Sequence, residues 1–171
     1  MRYVHMLVLA FGVVLTLCSA LFAMEMDGTA YKPKGRALVT GIEARDSAWD
    51  FISNIFITNV SDTEVTCRIT VYNHIGENVS SLCNVYTGST SGSPVELTSG
   101  GNEFRLPPAN TRMVQVWAPG MMPVVFGHAV IEWTSESTTV RKALVAALKT
   151  VRVNGASTYG FMSQINGGEP F

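Results

Sequence analysis

The sequence has little of the material from which metal clusters and histidine-based active sites are built. Its 171 residues include only three histidines and three cysteines. Neither His74 nor His128 has a second ligand near it at the spacing of a zinc site. The nearest match to a Gly-x-Ser-x-Gly nucleophile motif, residues 88–92, has Thr90 at its centre. We therefore expect no catalytic residues, no metal site and no cofactor.

An excess of charge of one sign is also lacking. Twelve Lys and Arg oppose thirteen Asp and Glu, which gives a formal net charge of −1. A protein that binds nucleic acid across a broad surface needs a basic excess to neutralise the phosphates, so nucleic acid is not an expected partner. The hydrophobic fraction of 47% and the charged fraction of 15% are ordinary for one folded domain of this length.

The amino end holds the long hydrophobic run of the chain. After Arg2 the residues are almost all apolar as far as position 24, and small residues follow the apolar core. This order predicts a cleaved signal peptide over residues 1–23 and a secreted, periplasmic or cell-surface protein. Contact with a membrane is then expected only through the export segment. An uncleaved anchor and a lipid attached at Cys18 are the alternatives, although Leu17 is large for a lipoprotein cleavage site.

The remainder of the chain has the pattern of an all-β protein. Residues 24–35 lack an apolar period and are interpreted as a tether, and residues 36–171 are interpreted as one domain. Runs of β-branched and aromatic residues bounded by turn residues predict an antiparallel, immunoglobulin-like sandwich of about seven to nine strands. The candidate strands are 37–44, 49–60, 65–72, 79–86, 103–106, 112–117, 127–134, 140–153 and 159–165.

Two features of this assignment concern neighbouring strands. The run 65–72 alternates strictly between apolar and polar residues, and the Ser61-Asp62 turn predicts that it forms a hairpin with 49–60. The run 141–152 fits both a helix and a strand. Its Leu144 and Leu148 follow a helical period, whereas a period of two and the all-β surroundings favour a strand.

Cys67 and Cys83 are the cysteines left after removal of the leader. If 65–72 and 79–86 form a hairpin whose loop is centred on Ile75, the two cysteines lie directly opposite each other. In an oxidising compartment we then expect a disulfide that stabilises the fold by roughly 3 kcal/mol. Two free buried thiols and a redox-active pair are the alternatives, and a redox pair usually has a close Cys-x-x-Cys spacing.

Aromatic residues give a weak binding signal. Trp117, Trp133 and Tyr159 are candidate platforms on which a sugar ring or another small ligand stacks. They suggest, as an alternative function, a carbohydrate-binding or small-ligand-binding module.

Three segments resemble secreted bacterial immunoglobulin-like and fibronectin-III-like domains. They are the strand-turn-strand region 57–72, the Leu-Pro-Pro turn at 106–111 and the closing residues 165–171. The resemblance implies a small exported sandwich of an uncharacterised family and carries over no catalytic residues. Unlike antibody domains, however, the predicted cysteine pair joins adjacent strands of one sheet.

Taken with the export signal, these observations predict a non-enzymatic protein that presents loops or an edge strand for adhesion or assembly at the cell surface. The expected partner is a protein or a cell-surface glycan, and a homo-oligomer is among the expected assemblies.

Overall fold

The computed structural model describes residues 31–45, 49–118, 124–154 and 156–171. Within these ranges, the compact unit Pro33–Phe171 contains ten strands and two short 3₁₀ turns, Ser80–Leu82 and Ile165–Gly168. The strands are β1 Gly35–Ala44, β2 Trp49–Asn59, β3 Val65–Tyr72, β4 Cys83–Thr87, β5 Val95–Ser99, β6 Glu103–Leu106, β7 Thr111–Val116, β8 Val125–Thr134, β9 Leu144–Asn154 and β10 Ser157–Gln164. The predicted signal peptide, and the tether before residue 31, lie outside the described residues.

The strands form two antiparallel sheets. One has four strands in the order β1-β8-β3-β6, and the other has six in the order β10-β9-β2-β7-β4-β5. This arrangement confirms the all-β sandwich. The candidate strands omit β5, whose five residues lie between two segments rich in Gly and Ser that are typical of loops.

The core lies between the sheets and follows from the alternation of apolar residues. In β3, for example, Val65, Cys67, Ile69 and Val71 are buried while the residues between them are half-buried. The largest fully buried side chain is Trp133 of β8. Its indole Nε1 donates a hydrogen bond of 2.8 Å to the backbone oxygen of Phe171, which ties the last residue of the chain to the core.

The ambiguous segment 141–152 is a strand over most of its length. Residues of β9 pair with β2 along eleven consecutive positions and with β10 along eight on its other side. Leu144, Ala146, Leu148 and Thr150 are buried in alternation, as the period of two predicts. Pairing on both sides overrides the helix propensity of the segment.

The predicted hairpin between 49–60 and 65–72 is wrong, because β2 and β3 belong to different sheets. The buried side chain of Asn59 explains the change of sheet. Its amide Nδ2 donates to the carbonyl oxygens of Thr63 (2.8 Å) and Leu106 (2.9 Å), and its Oδ1 accepts from the backbone N–H of Ser61 (2.9 Å). The connection is thereby held as a turn that crosses from one sheet to the other.

The predicted disulfide between Cys67 and Cys83 is also wrong. The hairpin begins as predicted, since the N–H of Val79 donates to the oxygen of Val71 at 2.8 Å. The 3₁₀ turn Ser80–Leu82 then carries the chain into the six-stranded sheet. Cys67 and Cys83 therefore lie in different sheets, where both are buried free thiols that are not at disulfide distance.

Burial raises the pKa of both thiols from the ordinary value of 9.0 to about 12. We expect neither thiol to react with iodoacetamide in the native protein, and both to react in denaturant, when alkylated peptides are mapped by mass spectrometry. The folded state disfavours thiolate, so stability should fall as pH rises from about 9 towards about 12. Rapid native alkylation of either residue would contradict this burial.

Candidate functional site

The two sheets of the described structure end in four edge strands, which are β1 and β6 in one sheet and β5 and β10 in the other. An edge strand presents a row of unpaired backbone N–H and C=O groups that another strand can pair with. Proteins usually block such edges with short strands, bulges or charged side chains. The edges therefore differ in how open they are to a partner.

Edge strand β6 is short and charged. It contains four residues, two of which are Glu103 and Arg105. Glu103 accepts from Arg68 at 2.8 Å, and Arg105 lies 3.6 Å from Glu64. Adding a strand at this edge would have to accommodate these charges.

Edge strand β1 is irregular. Its register with β8 shifts between Thr40 and Ile42, where Gly41 has a positive φ of 77°. Further along, the hydroxyl of Ser53 on β2 accepts from the backbone N–H of Glu43 (2.9 Å) and donates to its oxygen (2.8 Å). These two backbone groups of β1 are thus occupied from within the sandwich.

Edge strand β5 carries a charge and an irregular pairing. Its register with β4 shifts between Val85 and Tyr86. Glu96 lies on this strand and accepts a hydrogen bond of 3.1 Å from the hydroxyl of Tyr86. A bulge and a charge are both devices that discourage pairing.

Edge strand β10 is not short, contains no charged residue and has no shift in its register. Its eight residues, STYGFMSQ, include no charged residue and no proline, and its register with β9 is continuous. All eight residues are exposed, including Tyr159 (63%), Phe161 (54%) and Met162 (60%). It is therefore the most open edge among the described strands.

The inner face of β10 is exposed because the opposite sheet does not extend over it. Phe161 pairs with Thr150 of β9, and Thr150 pairs with Ser53 of β2, so the three residues share one face. Ser53 and Thr150 are fully buried, whereas Phe161 is exposed. Tyr159 lies on the same face as Phe161 because strand residues two apart share a face. The rings of Tyr159 and Phe161 therefore lie on the face of the six-stranded sheet that packs against the core, but past the edge of the core, where they are exposed.

The free backbone groups of β10 can be assigned from the hairpin geometry. Ser157 pairs with Asn154 across a two-residue connection, and the pair that closes such a hairpin is hydrogen-bonded. Hydrogen-bonded and non-bonded pairs alternate along antiparallel strands. The N–H and C=O groups of Thr158, Gly160 and Met162 therefore point away from β9, towards solvent.

The structure does not bring the three predicted aromatic platforms together. Trp133 cannot act as a platform, because it is fully buried and its Nε1 is bonded inside the core. Trp117, 38% exposed, follows β7, whereas Tyr159 is on β10, with β9 and β2 between the two strands. Three strand spacings amount to roughly 14 Å. Tyr159 instead belongs to the open edge, whose other exposed apolar residues, Phe161 and Met162, the sequence interpretation did not single out.

The described residues contain no group of three or more His, Cys, Asp or Glu side chains that could hold a metal ion. Within the same ranges, no helix is long and apolar enough to cross a membrane.

Comparison with known proteins gives little information about function. No family model matches the chain, and no curated protein matches it. A solved structure described as Thermotoga maritima 1070 is similar with a TM-score of 0.43 and 12% sequence identity, covering 78% of this chain and 96% of that one. A likeness this weak says nothing about a ligand or an activity.

Proposed function

We propose that this chain is a non-enzymatic, exported β-sandwich that assembles with a partner protein at the cell surface by strand addition at β10. The observation that carries the proposal is the contrast among the edges. Edges β1, β5 and β6 have bulges, charges or a short strand, whereas β10 is long, regular, uncharged and exposed. The apolar leader supports the export part of the proposal.

Strand addition needs two kinds of contact, and β10 offers both. Backbone hydrogen bonds to the outward-facing N–H and C=O groups provide affinity, while side chains that alternate across the sheet provide specificity. Tyr159 and Phe161 stand on one face of β10, and Met162 stands on the other. The matching partner is an extended strand with few charges and with apolar side chains towards the inner face.

A charge placed on this edge should prevent assembly. We expect chemical crosslinking of cells that express the full chain to give larger species in the envelope or secreted fraction. Phe161→Lys should reduce their yield roughly tenfold or more, because the ammonium group would have to lose water in the interface. Phe161 is 54% exposed, so the substitution should leave the fold intact.

Leu38→Lys is the matched control for this experiment. Leu38 is an apolar residue of β1 that is 59% exposed, and the variant adds the same charge at a different edge. Its crosslinking pattern should equal that of the unmodified chain. Equal yields from all three proteins would reject strand addition at β10.

A further inference from the structure

We propose that the strand received by β10 is β10 of a second copy of this chain, paired antiparallel about a twofold axis at Gly160. This inference rests on the proposed function and names its partner. A twofold dimer of this kind joins two six-stranded sheets into one continuous sheet. Such an interface uses the same surface on both copies, so β10 must be complementary to itself.

The charge pattern of β10 permits self-pairing. Its eight residues carry no charge, so no like charges can stand opposite each other when two copies pair. The nearest charges on its pairing partner β9 are Lys149 and Arg152, which are register partners of Met162 and Tyr159. Arg152 lies 3.0 Å from Glu43, so its charge is compensated within each copy. By contrast, a strand carrying charged residues would gain no ionic contact from β10 itself.

The side chains of β10 are complementary about Gly160. Antiparallel pairing centred there places Tyr159 opposite Phe161 of the second copy, and Phe161 opposite its Tyr159. Both pairs lie on the inner face and at positions where paired side chains approach most closely, because these positions are not hydrogen-bonded between the copies. Aromatic cross-strand pairs are among the favourable ones. On the other face, Thr158 stands opposite Met162, and glycine stands opposite glycine at the axis.

The backbone groups match in the same register. Thr158, Gly160 and Met162 direct their N–H and C=O groups away from β9, and pairing about Gly160 brings these residues opposite one another. Gly160 exchanges two hydrogen bonds with Gly160 of the second copy, and Thr158 exchanges two with Met162 of the second copy. A shift by one residue would place outward-facing groups opposite inward-facing ones and lose these bonds.

The dimer also accounts for the two aromatic residues that the sandwich leaves exposed on its core side. Tyr159 and Phe161 lie beyond the edge of the four-stranded sheet in one copy. In the dimer they form a cluster of four rings between the two four-stranded sheets, and each ring covers apolar surface of its neighbour. Removal of this surface from water is a driving force for association.

Sedimentation equilibrium of the full chain over a range of concentrations tests the pairing. We expect a monomer–dimer equilibrium, and we expect Gly160→Pro to weaken the dimer at least tenfold, because proline removes an outward N–H at the axis. Gly160→Ala is the matched control. Its Cβ would lie 3.3 Å from the oxygen of Thr150, as a proline Cβ would, but it keeps the N–H. Circular dichroism should show the same strand content in all three proteins.

The register has its own test in a Cys18→Ser background. A short bifunctional thiol reagent should crosslink two copies of Gly160→Cys faster than two copies of Phe161→Cys. In the proposed register, position 160 lies opposite position 160 of the second copy, whereas position 161 lies opposite position 159. Faster crosslinking at 161 would reject the axis at Gly160. The two native cysteines of the sandwich are buried and should not interfere.

Failure of self-pairing can be distinguished from failure of the proposed function. A full chain that stays monomeric at every concentration, or a Gly160→Pro variant that dimerises as well as the control, overturns the homotypic pairing. If crosslinked species in cells then still depend on Phe161 but contain a different protein, strand addition stands with another partner. If they do not depend on Phe161, both proposals are rejected.

Discussion

Replacing Gly127 by alanine should cost at least about 3 kcal/mol of folding free energy, a large part of the 5–15 kcal/mol that stabilises a typical domain. Gly127 lies in β8, between β1 and β3 in the four-stranded sheet. A Cβ at this position would lie 1.8 Å from the carbonyl oxygen of Tyr72 and 3.2 Å from the Cα of Asn73. Both are backbone atoms, so the overlap can be relieved only by separating the strands. Urea denaturation followed by circular dichroism measures the loss.

The matched control is Gly88→Ala. A Cβ at Gly88 would meet no atom within 4 Å, and no positive φ restricts the position to glycine. This variant should unfold within about 0.5 kcal/mol of the unmodified protein. If Gly127→Ala were equally stable, the close approach between β8 and the end of β3 would be wrong.

Local pattern predicted the strands well because it reports which face of a segment is buried. The alternation of Val65, Cys67, Ile69 and Val71 predicts β3 with the bounds that the structure has. In β9 the period of two predicts the observed strand, although the residues there also have a high helix propensity. What local pattern cannot report is which sheet a strand joins. The turn after β2 and the turn before β4 each looked like a hairpin, and each carries the chain to the opposite sheet.

The cysteine pair shows how one wrong connection changes a chemical conclusion. The loop begins with the predicted bridge between Tyr72 and Asn78. The 3₁₀ turn that follows, in which the hydroxyl of Ser80 accepts from the N–H of Val71 at 3.0 Å, ends the pairing after that start. A side-chain contact of this kind leaves no periodic signal in the sequence. The alternation of apolar and polar residues therefore predicts correctly that both thiols are buried. The assumed hairpin wrongly places them in one sheet.

The open edge was only partly predictable for a similar reason. The sequence of β10 shows that it lacks charge and proline, and it offers Tyr159 as a candidate stacking platform. Whether Tyr159 and Phe161 are covered depends on how far the opposite sheet extends, which is a property of the assembled sandwich. The exposure of two aromatic rings on a core-facing side could therefore be found only from the tertiary structure.

Trp133→Ala should destabilise the domain by about 3–5 kcal/mol, since it removes the largest fully buried side chain and leaves a cavity between the sheets. The substitution should also weaken the attachment of residues 165–171 to the core. The backbone oxygen of Phe171 accepts from Trp133 Nε1 and from the N–H groups of Ala143 and Leu144, and one of these donors would disappear. Trp133→Phe keeps most of the volume and should cost less. Hydrogen exchange of residues 165–171, together with urea denaturation, measures both effects.

Trp117→Ala separates this structural role from the ligand platform that the sequence suggested. Trp117 is 38% exposed at the end of β7, whereas Trp133 is fully buried, so Trp117→Ala should cost less free energy of unfolding than Trp133→Ala. If Trp133 were a ligand platform, Trp133→Ala would abolish sugar binding and leave the free energy of unfolding unchanged. Equal stability of Trp133→Ala and Trp117→Ala would therefore contradict the burial of Trp133. A large difference between them assigns Trp133 to the core, where no ligand can stack on its ring.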